Sequence, residues 1–367
     1  MSLPEYSESL TRLAKGLVDQ DAAKIIVEPQ DRSSGYWFGG GNVVQAPDGS
    51  LLAVGRYRNY GDSRTGVGAG ARGLELAIFR AEGVDGPWEK IVSWSKADLK
   101  CGDKEVVSIE GSSLLFGEDG VELFVSTEMD IPYSSEAADF QKPGTGVWTI
   151  NRLAAADVAG LKESAVEEIF AGRDLAHLHV KDPTAFRRAN GDTALIYCNH
   201  PYTWSSSNTS LAIRKAGTNE FEHVTDQMLQ RGPVWDIAVT RVTDLMPVPK
   251  LGKLADAPDV SLYYYCGAEG LRQLDDNTLA VKRPRGWSCE EIGGVAFGVD
   301  SEFPTIDRLS IDEAFFTSPH GTGCSRYVST VVLEDGIFTT WQQSQPDQSQ
   351  PHVGHFTPME KAAELLG

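Results

Sequence analysis

Short runs of apolar residues separated by polar turns fill the chain from residue 35 to residue 357. Three segments share one form, in which a strand with an acidic residue near its start is followed by a turn or longer excursion and a second strand. They begin at Val107, His179 and Val234. Many short antiparallel strands would produce this pattern, so it predicts an all-β fold.

The strand pairs recur at wide intervals. Starting points near residues 41, 107, 179, 234 and 325 define five groups, of which the last has only three strands. The isolated run from Ala23 to Glu28 has no partner nearby, and at the outer edge of the last sheet it would close a ring. We therefore predict a five-bladed β-propeller closed by an N-terminal strand, with a six- or seven-bladed ring or a β-sandwich as alternatives.

Helical patterns flank the strands. Leu10, Leu13 and Leu17 have helical spacing, which predicts an amphipathic helix over residues 7–19, and residues 358–366 predict a second short helix. We expect an N-terminal helical extension over residues 1–22, a single propeller domain over residues 23–357 and a C-terminal helix over residues 358–367.

Charge and composition limit the possible partners. The chain has 33 Lys and Arg against 52 Asp and Glu, a net charge of −19, so we expect no binding to nucleic acid or to a membrane surface. The N-terminus lacks the features of a signal peptide, which predicts a cytoplasmic protein unless an export signal had been removed. The five widely spaced cysteines match neither a disulfide framework nor a zinc pattern. The sequence carries no signal for an oligomeric state.

Three carboxylates are the candidate catalytic residues. Glu110, Asp182 and Asp236 take matching places near the starts of the predicted inner strands of blades two, three and four. Inner strands line the channel of a propeller, so we expect these side chains to meet. Like charges raise one another's pKa and can keep one carboxyl protonated near neutral pH, as glycoside hydrolysis requires. Alternatively, each carboxylate caps a strand or pairs with a neighbouring cation.

This layout, with Lys181-Asp182-Pro183 in blade three, resembles the glycosidase propellers. They comprise the family-43 arabinanases and xylosidases, the invertases and fructanases, and the mannoside phosphorylases. The resemblance implies a carbohydrate substrate and an enzyme that cleaves a glycosidic bond. It implies that Asp182 orients the substrate or tunes the acid and that Asp236 is the general acid. Glu110 would then be the base or nucleophile.

Blade one departs from the pattern of these families. They place an Asp on the first inner strand, whereas this chain offers Asn42, which can position a sugar hydroxyl but cannot accept a proton. Either Glu110 serves as the base, or Asp31 reaches in from the preceding loop, or the protein is not an ordinary hydrolase. A phosphorylase needs only one carboxylic acid and an arginine cluster, so it fits the missing Asp.

Arginines form the second candidate group. They are Arg56, Arg58, Arg64, Arg241 and Arg326. Guanidinium groups bind carboxylates and phosphates bidentately, so the set predicts recognition of an anionic group such as a uronate, a sialate or inorganic phosphate. Alternatively, they neutralise the channel carboxylates. A sialidase is not favoured because the Ser-x-Asp-x-Gly-x-Thr-Trp box is absent from the sequence.

Aromatic and histidine residues complete the candidate site. Trp37, Trp204 and Trp235 would stack on sugar rings or pack between blades, and His320 lies near a predicted strand mouth. No histidine cluster has metal-ligand spacing, so we expect no cofactor, although a metal ion in the channel remains open. Two further function classes also remain. One is a non-catalytic propeller that binds a sugar or a protein, and the other is a polysaccharide lyase with a Tyr/His or Arg/Lys pair beside a uronate.

Overall fold

The computed structural model describes residues 4–59, 71–141, 143–172, 174–200, 206–269 and 291–367. The strands of this part of the chain form five antiparallel sheets, which confirms the predicted five-bladed propeller. The predictions for Arg64 and Trp204 lie outside the described residues.

The first three blades follow one another along the chain, each running from an inner to an outer strand. Blade one contains β2 (Trp37–Gly39), β3 (Val43–Gln45), β4 (Leu51–Asn59), β5 (Ala71–Ala81) and β6 (Glu89–Ser95). Blade two contains β7 (Val106–Gly117), β8 (Gly120–Met129), β9 (Val147–Ala155) and β10 (Glu167–Phe170). Blade three contains β11 (His179–Arg187), β12 (Thr193–His200), β13 (Asn208–Arg214) and β14 (Phe221–Leu229).

The last two blades differ in how they are completed. Blade four contains β15 (Val239–Pro247), β16 (Val260–Ala268), β17 (Ile292–Val299) and the short β18 (Asp307–Arg308). Blade five contains β19 (Ser325–Val332), β20 (Gly336–Gln343) and β21 (His352–Pro358), with β1 (Lys24–Val27) at its outer edge. The N-terminal strand thus closes the ring as predicted, because Lys24 pairs with Gly354 and Ile25 with Val353 in an antiparallel register.

The two helices pack together beside the closing blade. They are α1 (Pro4–Leu17) and α2 (Met359–Leu366). Leu10, Leu13 and Leu17 are fully buried in one apolar cluster with Leu366 of α2 and Trp341 of β20. The helical spacing of these leucines therefore supplies one apolar face. No helix within the described ranges has the length and apolar character that crossing a membrane requires.

The inner strand of blade four begins later than predicted. The apolar run from Val234 suggested a strand, but β15 starts at Val239. In the preceding segment, the Gly232 amide donates to the Asp236 carbonyl oxygen at 3.2 Å, which closes a turn. Trp235 is fully buried and stacks on Tyr265 at 5.5 Å between ring centres. The apolar run reflects core packing of an irregular segment, which hydrophobicity alone does not distinguish from a strand.

Candidate functional site

Every inner strand contains an extra residue relative to its neighbour. The register shifts fall at residues 40–42, 110–111, 182–183, 243 and 327–328. Such β-bulges re-aim side chains and are frequent next to active sites. A cavity of about 10 Å³ is lined by residues from all five bulges, so they converge at the channel. We call this region the hub.

The bulges define the equivalent positions in successive blades. Glu110, Asp182 and Tyr327 occupy the bulges of blades two, three and five, and Asp182 and Tyr327 share the same unusual φ of 55°. In blade four the bulge residue is Thr243. The hub therefore gathers two of the three predicted carboxylates, and Asp236 is not their counterpart.

Glu110 is a carboxylate held by two cations. Its Oε1 accepts hydrogen bonds from Arg56 Nε, at 3.0 Å, and from Arg56 Nη2, while Lys181 Nζ lies 3.7 Å from Oε2. Burial alone would raise the pKa of Glu110, but the charges of Arg56 and Lys181 outweigh it and hold the pKa well below its usual range. We expected neighbouring carboxylates to raise it. Arg56 and Lys181 instead lower the pKa of Glu110.

Asp182 is fixed from several directions. Its Oδ1 accepts from the Gly111 amide at 3.1 Å and from the Tyr327 hydroxyl at 3.4 Å, and Arg241 Nε lies 3.0 Å from Oδ2. Lys181 Nζ is 3.9 Å from Oδ2 and so bridges Asp182 and Glu110. These contacts fix the position of Asp182 relative to Glu110.

Arg241 lies inside the hub rather than on its surface. Its side chain is 3% exposed, and Nη1 donates to Glu291 at 2.8 Å and to the Tyr327 hydroxyl at 2.8 Å. Burial lowers the pKa of Arg241, but Asp182 and Glu291 raise it well above its ordinary value. We expected Arg241 to bind an anionic group of a ligand, but it pairs with Asp182 and Glu291 of the protein itself.

Asp236 lies at the outer part of blade four. It is fully buried and accepts from Arg308 Nε of β18 at 2.8 Å and from the Tyr265 hydroxyl at 3.2 Å. Within the described ranges, no contact joins it to Glu110 or Asp182. The structure therefore does not bring Asp236 together with the other two carboxylates as expected, and its role as general acid stays a prediction.

Three predicted substrate-binding residues also have other surroundings. Trp235 packs in the core against Tyr265. The Asn42 amide donates to the Leu114 carbonyl at 2.9 Å and accepts from the Leu114 amide at 2.8 Å, so it links blades one and two. His320 is exposed on a turn, where its amide donates to Ser318 Oγ at 3.2 Å. These positions favour structural roles for Trp235 and Asn42.

Arg58, Arg326 and Trp37 do come together. The guanidinium carbons of Arg58 and Arg326 lie 4.5 and 4.7 Å from the centre of the Trp37 ring. Trp37 is directly opposite Arg58 in the pairing of β2 with β4. Both arginines also lie close enough to interact electrostatically, because the charge of Arg326 lowers the pKa of Arg58. The negative charge of Glu110 raises the pKa of Arg58, so this cationic cluster lies near Glu110 of the hub.

Other hub residues were missed by sequence reasoning. Lys181 and Tyr327 adjoin residues that were singled out, so the blade repeat could have indicated them. Glu291 precedes β17 without any distinctive pattern. Glu128, at the end of β8, is 1% exposed. Burial raises its pKa, and the charge of Arg72, 3.0 Å away, lowers it, but the effect of burial is larger.

One group of described residues has the composition of a metal site. Donor atoms of Asp182, Cys198 and His200 lie within 4.8 Å of one another. However, Arg241 Nε sits 3.0 Å from Asp182 Oδ2 and 3.2 Å from Cys198 Sγ. Burial raises the pKa of Cys198 to about 11, which keeps it a thiol, whereas metals bind the thiolate. A guanidinium already provides positive charge here, so the group does not fit a metal ion. The absence of a cofactor stays a prediction.

Gly111 is required by the close approach of Asp182. A Cβ atom at this position would lie 2.7 Å from the Asp182 Cα. We expect Gly111→Ala to displace Asp182 and to lower the free energy of unfolding by about 1–3 kcal/mol, measured by urea denaturation. Gly83→Ala is the control, because nothing lies within 4 Å of its added Cβ. Equal stability of the two variants would contradict the steric argument.

Comparison with known proteins identifies relatives by fold. No protein-family model and no curated protein matches the chain. A thermostable family-43 glycoside hydrolase is 9% identical, with a TM-score of 0.53 over 90% of this chain and 92% of that one. A Xanthomonas citri glycoside hydrolase complexed with xylotriose is 10% identical, with a TM-score of 0.51 over 95% and 92% of the two chains.

An arabinanase also has a structure similar to that of this chain. The Penicillium chrysogenum α-L-arabinanase complexed with arabinobiose is 10% identical, with a TM-score of 0.51 over 93% of this chain and 98% of that one. These comparisons confirm the resemblance that the sequence indicated, at the level of layout. The chain therefore has the five-bladed propeller fold of glycoside hydrolases.

Proposed function

We propose that this protein is a carbohydrate-active enzyme that cleaves a glycosidic bond at the hub. The observation that carries the proposal is the pairing of Glu110 and Asp182, two carboxylates bridged by Lys181 at equivalent bulges of adjacent blades. The glycoside-hydrolase fold supports it, and structural neighbours were determined with xylotriose and arabinobiose. A carbohydrate is thus the substrate class that fits.

Glu110 has the properties of a base or nucleophile. Its side chain is 17% exposed, and its lowered pKa keeps it ionised at neutral pH. An ionised carboxylate can accept a proton from water or attack an anomeric carbon. Asp182 is almost completely buried and is held in place by four neighbours, so we assign it to positioning Lys181 and, through it, Glu110.

Glu128 is the proton donor in this proposal, in place of Asp236. Its pKa is raised, whereas that of Glu110 is lowered, and the charge of Glu110 contributes to the rise. Two carboxyl groups whose environments push their pKa values apart are the usual basis of an acid and base pair. Glu128 differs from Asp236 in that it interacts with Glu110, but at 1% exposure its role as donor requires local opening of blade two.

A lyase is a second candidate because the structure contains a neutral Tyr/His pair. The Tyr133 hydroxyl lies 2.8 Å from His179 Nε2, and the Trp148 amide donates to His179 Nδ1 at 3.3 Å. Burial lowers the pKa of His179 to about 3 and raises that of Tyr133 to about 12, so both are uncharged at pH 7. Lys181, which lies over the Trp148 ring at 4.5 Å, connects this pair to Glu110.

A glycoside screen tests the proposal. Neutral and acidic glycosides, including arabinosides, xylosides and uronides, are incubated with the protein with and without inorganic phosphate. Cleavage without phosphate supports a hydrolase, and cleavage only with phosphate supports a phosphorylase. An unsaturated product that absorbs in the ultraviolet would assign a lyase instead. No cleavage of any glycoside, with binding on a glycan array, would replace the enzyme by a non-catalytic sugar-binding propeller.

A further inference from the structure

The hub and its cationic cluster hold more positive than negative charge. Among the described residues, six cations interact with four carboxylates. The cations are Arg56, Arg58, Arg72, Lys181, Arg241 and Arg326, and the carboxylates are Glu110, Glu128, Asp182 and Glu291. This excess of two charges is buried in a protein whose net charge is −19. A local excess of cations in an acidic protein indicates attraction of an anion to this place.

Among the described residues, Arg58 is the cation of this group for which no hydrogen bond or ion pair is found. Arg56 pairs with Glu110, Arg241 pairs with Asp182 and Glu291, and Arg326 Nη2 donates to Gln350 at 3.4 Å. By contrast, Arg58 Nε and Nη2 have no hydrogen-bond partner in the part of the chain that the structure describes, although the residue is only 9% exposed. A buried polar group without a partner carries an uncompensated desolvation cost.

The unpartnered atoms define the shape of the missing ligand. Nε and Nη2 are on one edge of a guanidinium group, where their two N–H bonds point in parallel. This edge matches an acceptor with two oxygen atoms, such as a carboxylate. The Trp37 ring holds the guanidinium by a cation–π contact at 4.5 Å, which fixes its orientation before any ligand arrives.

The electrostatic surroundings of Arg58 also favour binding of an anion. Burial lowers the pKa of Arg58 to about 10, and the positive charges of Arg56, Arg72 and Arg326 add to this effect, against the opposing charge of Glu110. Arg58 is still cationic at neutral pH. An anion placed against its free edge would relieve both the desolvation and the repulsion between arginines.

We propose that Arg58, together with Arg326 over the same Trp37 ring, forms a subsite for the carboxylate of an acidic sugar. This inference rests on the proposed function and specifies its substrate class as uronic-acid-containing carbohydrate. Because Arg58 Nε and Nη2 are buried, the proposal requires this edge to become accessible to the ligand. Phosphate and sulfate also present paired oxygens, so the test must separate them from a uronate.

Calorimetric titration of the full chain with simple ligands tests the subsite. The probes are galacturonate and glucuronate, their neutral counterparts galactose and glucose, inorganic phosphate and sulfate, all in a zwitterionic buffer at constant ionic strength. We expect the uronates to bind at least about tenfold more tightly than the neutral sugars, a difference of about 1.4 kcal/mol. The variant Arg58→Met should lose this preference, and Arg58→Lys should keep only part of it, because an ammonium group lacks the two-donor edge.

Arg80→Met is the matched control. It removes the same charge from the same blade, but its side chain is 40% exposed and forms only surface ion pairs with Asp48 and Glu82. It should keep the uronate preference. Thermal unfolding without ligand shows that the variants are folded, and the melting temperature of Arg58→Met should equal or exceed that of the wild type, because an unpaired buried charge is removed.

Several results would overturn the subsite. They are equal affinity for uronates and neutral sugars in the wild type, an unchanged preference in Arg58→Met, or phosphate binding tighter than uronate binding. The glycoside screen separates this proposal from the proposed function. Cleavage of neutral glycosides without any uronate preference would reject the subsite alone, whereas uronate binding without cleavage of any glycoside would reject the enzymatic function alone.

Discussion

Replacing Glu110 with Gln is expected to lower kcat/KM for glycoside cleavage by about a thousandfold, in the range seen when a general base is removed. The amide has nearly the same shape and keeps an oxygen that can accept from Arg56 Nε. It cannot accept a proton or act as a nucleophile at neutral pH. The rate is measured on whichever glycoside the screen identifies, with circular dichroism to verify folding.

Glu122→Gln is the control for this experiment. Glu122 lies in the same blade, is 16% exposed against 17% for Glu110, and is likewise paired with an arginine, Arg214. It lies outside the hub. Both variants should lose a similar amount of stability, but only Glu110→Gln should lose activity. Equal activities in the two variants would refute the catalytic role.

The pH dependence of the wild-type rate adds an independent check. Because its pKa is lowered, Glu110 remains ionised when the pH falls through the ordinary carboxylate range near 4. Any loss of activity due to its protonation must therefore occur below that range. An acid limb near pH 6 that disappears in Glu110→Gln would contradict this assignment. The stability that Glu110 contributes is present above the unfolded-state pKa and is lost at lower pH.

Replacing Arg241 with Met is expected to cost about 3–5 kcal/mol of unfolding free energy at pH 7. Arg241 is the partner of two buried carboxylates, Asp182 and Glu291, and of the Tyr327 hydroxyl. Methionine fills part of the volume but removes the closest cation from both carboxylates, which leaves only Lys181 and Arg326, each 3.9 Å away, to compensate them. Urea denaturation measures the loss.

The sign of the pH effect distinguishes this mechanism from simple loss of packing. Unpaired buried carboxylates have raised pKa values in the folded state, so Arg241→Met should regain stability as the pH is lowered from 8 to 5. Arg214→Met is the control, because its partner Glu122 is 16% exposed and can be hydrated. A loss for Arg241→Met that is independent of pH, or no larger than that of the control, would contradict the prediction.

The sequence was sufficient for the architecture. Short apolar runs separated by polar turns marked the strands, and the unpartnered run at Ala23 to Glu28 identified the strand that closes the ring. Both signals depend on burial, because strands that pack into a core require apolar residues at regular positions in the sequence. The start of β15 was misplaced because Trp235 is buried without belonging to a strand.

The site was only partly accessible to the same reasoning. Glu110 and Asp182 were found because the blades repeat and each has an acidic residue near the start of its predicted inner strand, and the structure places both at equivalent bulges. Asp236 was grouped with them by its distance from an apolar run, yet it pairs with Arg308 of an outer strand. The pairing of arginines with carboxylates depends on contacts between residues that are distant in sequence. Glu291, for example, has no local sequence pattern that indicates its hydrogen bond with Arg241.

The pairing of β1 with β21 also sets an order of events during synthesis. Ile25 leaves the ribosome before the residues of blades one to four, whereas its partner Val353 is translated only after them. Each of the blades before the last can assemble from contiguous chain, whereas the ring stays open until β21 has been translated. Closure is therefore a late step, and β1 must wait without its native neighbour while the other blades form.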